Sequence, residues 1–372
     1  MKLYSGLAII FKVRYNCNEE NGEDKIKDMK KIMFLMPNKT YSGAEKVSID
    51  IIKYLKDKYD FFYVSESGEI NEYLEENNIR HVVTSKNLNL SEIKRIIDIE
   101  KPDIIHCSDY RASTKMALIN TNIPIISHLH NNPLWLKKIC INSIAYFVVS
   151  KRFKKILTVS DSIKDEYIFS RFLKDKIVMI DNPISVSEVR NKVDFETKKE
   201  FDLCFSGRLS EAKNPIRFIN IIEKLKKYYP NIKVMMLGDG ELKEKCIQKI
   251  KEKNLEDNIK LLGFVKNPYQ EMIKAKMFVL PSEWEGFGLV AFEAISLGLP
   301  CVVSDVGGLG SIVDNSCGKL CNNDDEFINE IKSFIDDKEK LQRYSKNAMK
   351  KAERIENLDR YMKKIEEIYE SE

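Results

Sequence analysis

From Lys30 onward the chain repeats one unit: a short apolar run rich in β-branched and aromatic residues, a polar or glycine turn, then a stretch with helical periodicity. The first copy is "KIMFLM" followed by "GAEKVSIDIIKYLKD", where Val47, Ile51, Ile52 and Leu55 share one helical face. "DFFYVS", "RHVVT", "DIIHC", "IPIISHLH", "KILTVS" and "KIVMID" continue the strands, with helices expected over 69–77, over "LSEIKRIIDIE" and near 113–120. Around "NKVDFETKKEFD" the pattern turns polar and loses its period, which marks a linker. The alternation then restarts with "LCFSG", "IKVMMLG", "IKLLGF", "KMFVLP" and "PCVVSD", separated by helical stretches. Strand and helix alternating at this spacing build βαβ units and parallel sheets covered on both faces. The expected fold class is therefore α/β, with two doubly wound, Rossmann-like domains facing a cleft, and ligands beyond the carboxyl ends of the strands.

The expected boundaries are 29–195 for the N-terminal domain, 196–350 for the C-terminal domain, and 351–372 for a charged helix that can cross back to the first domain. Residues 1–28 hold a short apolar stretch and then the acidic "NCNEENGEDKIKD" before Met29, and read as an appendage or a mis-set start. No run approaches the ~20 apolar residues of a membrane span. The 61 basic and 57 acidic side chains leave a net charge of +4, without the basic, aromatic-interleaved stripe of a nucleic-acid binder. Eight scattered cysteines, several inside apolar runs, read as buried small hydrophobes of a cytoplasmic protein.

Chemistry-bearing residues gather after the strands. "FSGRLSEAKNP" places Arg208 and Lys213 on the loop leaving one strand, where a guanidinium fork and an ammonium can neutralise a diphosphate; taken alone, the loop reads more readily as two solvated cations. In "PSEWEGFGLVAFEAISLG", Glu285 falls in a loop and Glu293 about two turns into the following helix region, so they do not share one helical face. The Gly286–Gly288 turn presents backbone N–H groups at a helix N-terminus, a ready anion site. Carboxylates beside a diphosphate repel it, so these two are better placed to accept hydrogen bonds from sugar hydroxyls than to move protons. Gly286, Gly288 and Ala291 also spell G-x-G-x-x-A, and Asp305 follows about 20 residues later, as in a nicotinamide-dinucleotide site. "PSEWE" intervenes between strand and turn, however, and that reading leaves Arg208, Lys213 and Glu293 unexplained.

In the first half, Gly43 lies between a strand and its helix, where its backbone can approach a phosphate. "IPIISHLHNNP" sets His128 and His130 on one side of a strand's end, with His106 ending the preceding strand. No carboxylate joins them as a metal set, and no strict D-x-D triplet occurs. "LKKICINSIAYFVVSKRFKK" combines an apolar centre with Lys137, Lys138, Lys151, Arg152, Lys154 and Lys155, and reads either as a lipid-contacting segment or as a core helix with snorkelling ends.

Together these motifs resemble the retaining glycosyltransferases of family 4, glycosyl transferases group 1, over roughly Lys30 to the end. "GRLSEAKNP" is similar to the family's G-R-L…K-[GN] element, "EGFGLVAFE" matches its E-x7-E motif, and "PIISHLHNN" resembles its P…H segment, favouring His130 over His128. "SGAEKV" stands where a double glycine is common, Ser311 where a Glu is usual, and Ser108 where a second histidine is common. The resemblance implies the GT-B fold and metal-independent transfer of a hexose-type sugar, with retention, from a UDP- or GDP-sugar. It implies a glycan or lipid-linked glycan acceptor, cell-surface polysaccharide biosynthesis, and a cytoplasmic location extending to the inner face of the membrane. Arg208, Lys213, His130 and Glu285 would be the catalytic set; Gly43, Gly286, Phe287, Gly288, Leu289 and Glu293 would bind donor, Glu285 at the sugar hydroxyls and Glu293 at the ribose. No cofactor is implied, since the nucleotide-sugar is a substrate. A sugar-nucleotide isomerase or hydrolase on the same fold, a nicotinamide-dependent enzyme and a non-catalytic nucleotide-sugar binder are the alternatives.

Overall fold

The computed structural model describes residues 29–371, Lys86 excepted; the segment 1–28, with Cys17, lies outside the described residues. Two parallel sheets organise the chain. The first has seven strands in the order β3-β2-β1-β4-β5-β6-β7: β1 (Lys31–Leu35), β2 (Asp60–Glu66), β3 (His81–Thr84), β4 (Ile104–Ser108), β5 (Ile125–Leu129), β6 (Phe153–Thr158) and β7 (Ile177–Met179). The second has six in the order β10-β9-β8-β11-β12-β13: β8 (Phe201–Ser206), β9 (Val234–Leu237), β10 (Ile259–Gly263), β11 (Ala275–Leu280), β12 (Cys301–Ser304) and β13 (Gly318–Cys321). Strand order reverses between β1 and β4 in one sheet and between β8 and β11 in the other. At such a switch point neighbouring loops leave in opposite directions and open a crevice.

Central strands such as β4, β5, β9 and β12 are buried along their whole length, which is why they read as continuous apolar runs. The helix expected near 113–120 begins earlier, as Asp109–Ala117, directly after β4. Six described cysteines are buried and Cys140 is partly so, none in a disulfide.

The expected break at 350/351 falls inside helix Lys338–Ile355; the chain turns at Glu356 and Asn357 instead. Asn357 accepts from the Ile184 amide at 3.0 Å and donates to the Asn182 carbonyl at 3.2 Å, tying this crossing to the earlier one. Helix Leu358–Glu370 then lies on the N-terminal sheet, where Tyr361, Met362, Ile365, Ile368 and Tyr369 join Phe34, Phe61, Tyr63 and Ile104 in one core. Each Ile, Met or Phe side chain among these contributes about 1.5–3 kcal/mol on burial.

Candidate active site at the two switch points

On the C-terminal side, β8 and β11 are paired neighbours, so their outgoing loops lie together. After β8, Asn214 takes a left-handed conformation and its side chain accepts from the Arg217 amide at 3.1 Å, with Pro215 opening helix Pro215–Lys226. This Asn-Pro cap fixes the departure of Lys213. The Lys213 stem runs alongside Gly207, 3.6–3.7 Å from where a Cβ would stand, and its Nζ meets Glu285 Oε1 at 2.5 Å. Ser282 Oγ donates to the same oxygen at 2.7 Å, and Glu285 is buried. Arg208, on the same loop, is half-exposed and paired at 3.4 Å with Glu241 rather than with this cluster.

The turn after Glu285 is held by glycines. A Cβ on Gly286 would stand 2.0 Å from the His130 carbonyl oxygen, so the C-terminal domain touches the end of β5 here and only a glycine fits. From the loop after β12, Gly307 takes φ +56° against the Glu285 carbonyl, and the Gly308 amide donates to Gly286 at 3.0 Å. Gly288, at φ +95°, opens helix Leu289–Ser296, and Gly298, at φ +72°, follows its end. The Phe287, Gly288, Leu289 and Val290 amides meet no hydrogen-bond acceptor among the described residues, which leaves four positive backbone groups at a helix N-terminus.

Glu293 sits a little over one turn into that helix and belongs to another network. It accepts from the Tyr269 hydroxyl at 2.8 Å. Burial raises its pKa, opposed by Lys46 of the N-terminal domain and by the Tyr269 hydrogen bond. Burial disfavours the Lys46 charge too, but Asp50, Glu293 and Glu188 outweigh it and hold that pKa above its ordinary value. Gly43 begins the helix carrying Lys46 and faces Leu289 across the domain boundary, with room for a Cβ at 3.5 Å.

On the N-terminal side, three histidines form a buried row. Tyr369 Oη lies 2.7 Å from His106 Nδ1, His106 Nε2 lies 3.1 Å from His128 Nδ1, and the His128 and His130 rings stand 4.0 Å apart. Burial pushes His106 and His130 down to about 3 and His128 well below its usual range, so the row is neutral. The Asn182 side chain is close enough to His130 to oppose the shift, although its approach falls short of hydrogen-bond geometry at either ring nitrogen. Most buried side-chain polar atoms in folded proteins are hydrogen-bonded, which sets this ring apart.

Beside it stands Asp109, which the sequence reading missed. It is the first residue after β4 and has φ +70°, a strained backbone for a non-glycine residue. Its Oδ2 accepts from Asn131 at 3.2 Å, and burial raises its pKa. Glu45, also missed, is fully buried; Asn38 at 3.0 Å and Ser42 donate to it, and burial raises its pKa. Both follow strands of the switch point, which a topology alone would have flagged; neither carries a spacing motif.

Two family models match consecutive stretches of the chain, Glycosyltransferase Family 4 over residues 41–188 and Glycosyl transferases group 1 over residues 187–351. The chain is a family 4, group 1 glycosyltransferase with the GT-B fold. This glycosyltransferase is 28% identical over 90% of its length to 95% of the UDP-Gal:alpha-D-GlcNAc-diphosphoundecaprenol alpha-1,3-galactosyltransferase of Escherichia coli. It is 30% identical to an uncharacterised glycosyltransferase of Methanocaldococcus jannaschii, over 58% of each chain. In fold it is similar to the Anabaena protein HepE solved with UDP-glucose, at TM-score 0.78 and 22% identity, covering 91% of this chain and 99% of that one.

Proposed function

We propose that the enzyme transfers a hexose-type sugar, with retention, from a UDP- or GDP-sugar to a lipid-linked glycan at the cytoplasmic face of the membrane, in the assembly of a surface polysaccharide. The observation that carries this reading is the meeting of Lys213, Glu285 and the Gly286 turn with His130 at the boundary of the two domains. The E. coli relative, named for a nucleotide-sugar donor and a diphospholipid acceptor, supports the choice of substrates.

In this mechanism the donor diphosphate takes Lys213 from Glu285, and Arg208 swings from the exposed Glu241 pair to join it. The freed Glu285, still held by Ser282, accepts hydrogen bonds from the donor sugar, and Glu293 takes the ribose. As the anomeric carbon–oxygen bond breaks, charge builds on the leaving diphosphate, where the two cations and the free turn amides stabilise it most. The acceptor oxygen bonds the anomeric carbon on the same face, and its proton passes to the departing phosphate oxygen, so no protein nucleophile is required. Neutral His130 can orient the reacting sugar, and Asp109 with Asn131 can hold acceptor hydroxyls.

Product analysis with UDP- and GDP-sugars and a diphospholipid-linked glycan tests the proposal. The expected product is an extended glycan with an anomer like the donor's, formed at the same rate with EDTA present. An inverted anomer, a loss of turnover in EDTA, or sugar release that ignores the acceptor would each overturn the part concerned.

A further inference from the structure

We propose that helix Ile141–Val149 and the turn around Phe172 form a docking face for an anionic lipid bilayer. The helix, "INSIAYFVV", carries no charge, and a helix apolar all round is normally buried. Here only one side is covered: Ser143 and Tyr146 face inward, and Tyr146 Oη lies 2.7 Å from Ser127 Oγ on β5. The other side is a solvent-facing stripe. Ile141 is 86% exposed, Ile144 44% and Val148 59%, spaced three and four residues apart on one face, with Ile139 71% exposed just before the helix. Phe172, 58% exposed, extends the stripe; its ring lies 5.7 Å from that of Phe147, on the same helix. A contiguous apolar surface of this kind marks an interaction site.

Charge decides the occupant. Lys138 precedes the stripe, Lys151 continues it three residues after Val148, and Arg171 and Lys174 flank Phe172. These four cations form no ion pair among the described residues, and Arg171 lies over the Phe172 ring at 4.6 Å. Nearby acids are partly spoken for: Glu166 holds Lys137 at 3.0 Å and Asp161 holds Lys164 at 2.8 Å, leaving Asp175 beside the face. An apolar centre with a basic rim is complementary to anionic headgroups over acyl chains. Helices in the described residues are not long and apolar enough to cross a membrane, so contact here is peripheral. The face is braced on β5, whose end carries His130, so docking holds the cleft against the surface that presents a lipid-linked acceptor. That consequence rests on the proposed transferase reading; lipid binding itself does not.

The test is sedimentation of the full chain with vesicles of phosphatidylcholine alone or mixed equally with phosphatidylglycerol. Binding is expected to the anionic vesicles and to weaken with salt. The Ile141→Ser/Ile144→Ser/Val148→Ser variant should lose at least about tenfold in partitioning, and Lys138→Glu/Lys151→Glu/Lys174→Glu should lose the preference for anionic lipid. Both variants should keep wild-type turnover on a short, water-soluble acceptor, which separates docking from catalysis. Absence of binding, binding unchanged by the serine variant, or a solution dimer that this variant dissociates would overturn the proposal.

Discussion

The two switch points use the same topology for opposite chemistry. Between β8 and β11 the loops present Lys213, Arg208 and four unpaired backbone amides, a set that attracts a polyanion. Between β1 and β4 the loops present Glu45, Asp109 and, from neighbouring β5, a neutral histidine; Arg111 is turned onto the Pro37 carbonyl. In the proposed reading the C-terminal crevice would hold the donor, its diphosphate above all, and the N-terminal one would accept hydrogen bonds from acceptor hydroxyls. The doubly wound sheet supplies the crevice, and the few residues after each strand decide what enters it.

The largest effect that would break this division belongs to Lys213. Lys213→Ala is expected to lower turnover by about 10²–10³, the scale of losing one oxyanion donor, and Arg208→Ala to act in the same direction; steady-state assays that find both variants near wild type would remove the diphosphate from this loop. Next comes Asp109→Asn on the opposite side. It is expected to lower kcat/KM for the acceptor by about tenfold or more, the worth of a hydrogen bond to a charged group, while nucleotide affinity stays unchanged. A drop in nucleotide affinity instead would erase the contrast between the halves. Glu293→Ala should weaken free-nucleotide binding by about tenfold, measured by calorimetry, because its carboxylate sits apart from the Lys213–Glu285 pair.

The smallest effect concerns stability and sharpens the picture of the N-terminal half. Folded-state values of the buried histidines lie below the unfolded one, so the unfolded chain takes up more protons in acid. Their stabilisation is fully present above about pH 6.5 and is lost as pH falls toward 3, at about 1 kcal/mol per histidine between pH 6.5 and 5.5. Buried Glu45 and partly buried Asp109, with raised values, have the opposite sign. Denaturant melts of wild type and His106→Gln across that window isolate the histidine share: the difference between them should shrink with acidification, and a constant difference would contradict the assignment.

Much of this arrangement was legible in the sequence. Continuous apolar runs and period-3.6 patterns mark the alternation because the central strands are buried on both faces and the helices on one. The Lys213 loop, the glycine turn and the two glutamates carry local signals, since turn geometry and caps are written in neighbouring residues. What the sequence could not show is which charges meet. Lys213 and Glu285 are paired because β8 and β11 are adjacent, and Arg208 points instead to Glu241; these are facts of strand order and loop path. Asp109 was invisible because its significance lies in a left-handed backbone at the end of β4, which no spacing encodes. The solvent-facing stripe of helix Ile141–Val149 was equally ambiguous, since an apolar helix reads the same whether one side or both are covered.

The central claim is that the β8–β11 crevice, through Lys213, binds the donor's nucleoside diphosphate. Thermal unfolding of wild type, Lys213→Ala and Asp109→Asn with UDP, GDP, ADP or NAD tests it most directly. At 100 times the dissociation constant a bound ligand stabilises by about 2.7 kcal/mol. The account predicts that UDP or GDP stabilises wild type and Asp109→Asn alike and has little effect on Lys213→Ala. Equal stabilisation of all three proteins, or stabilisation by NAD alone, would contradict it.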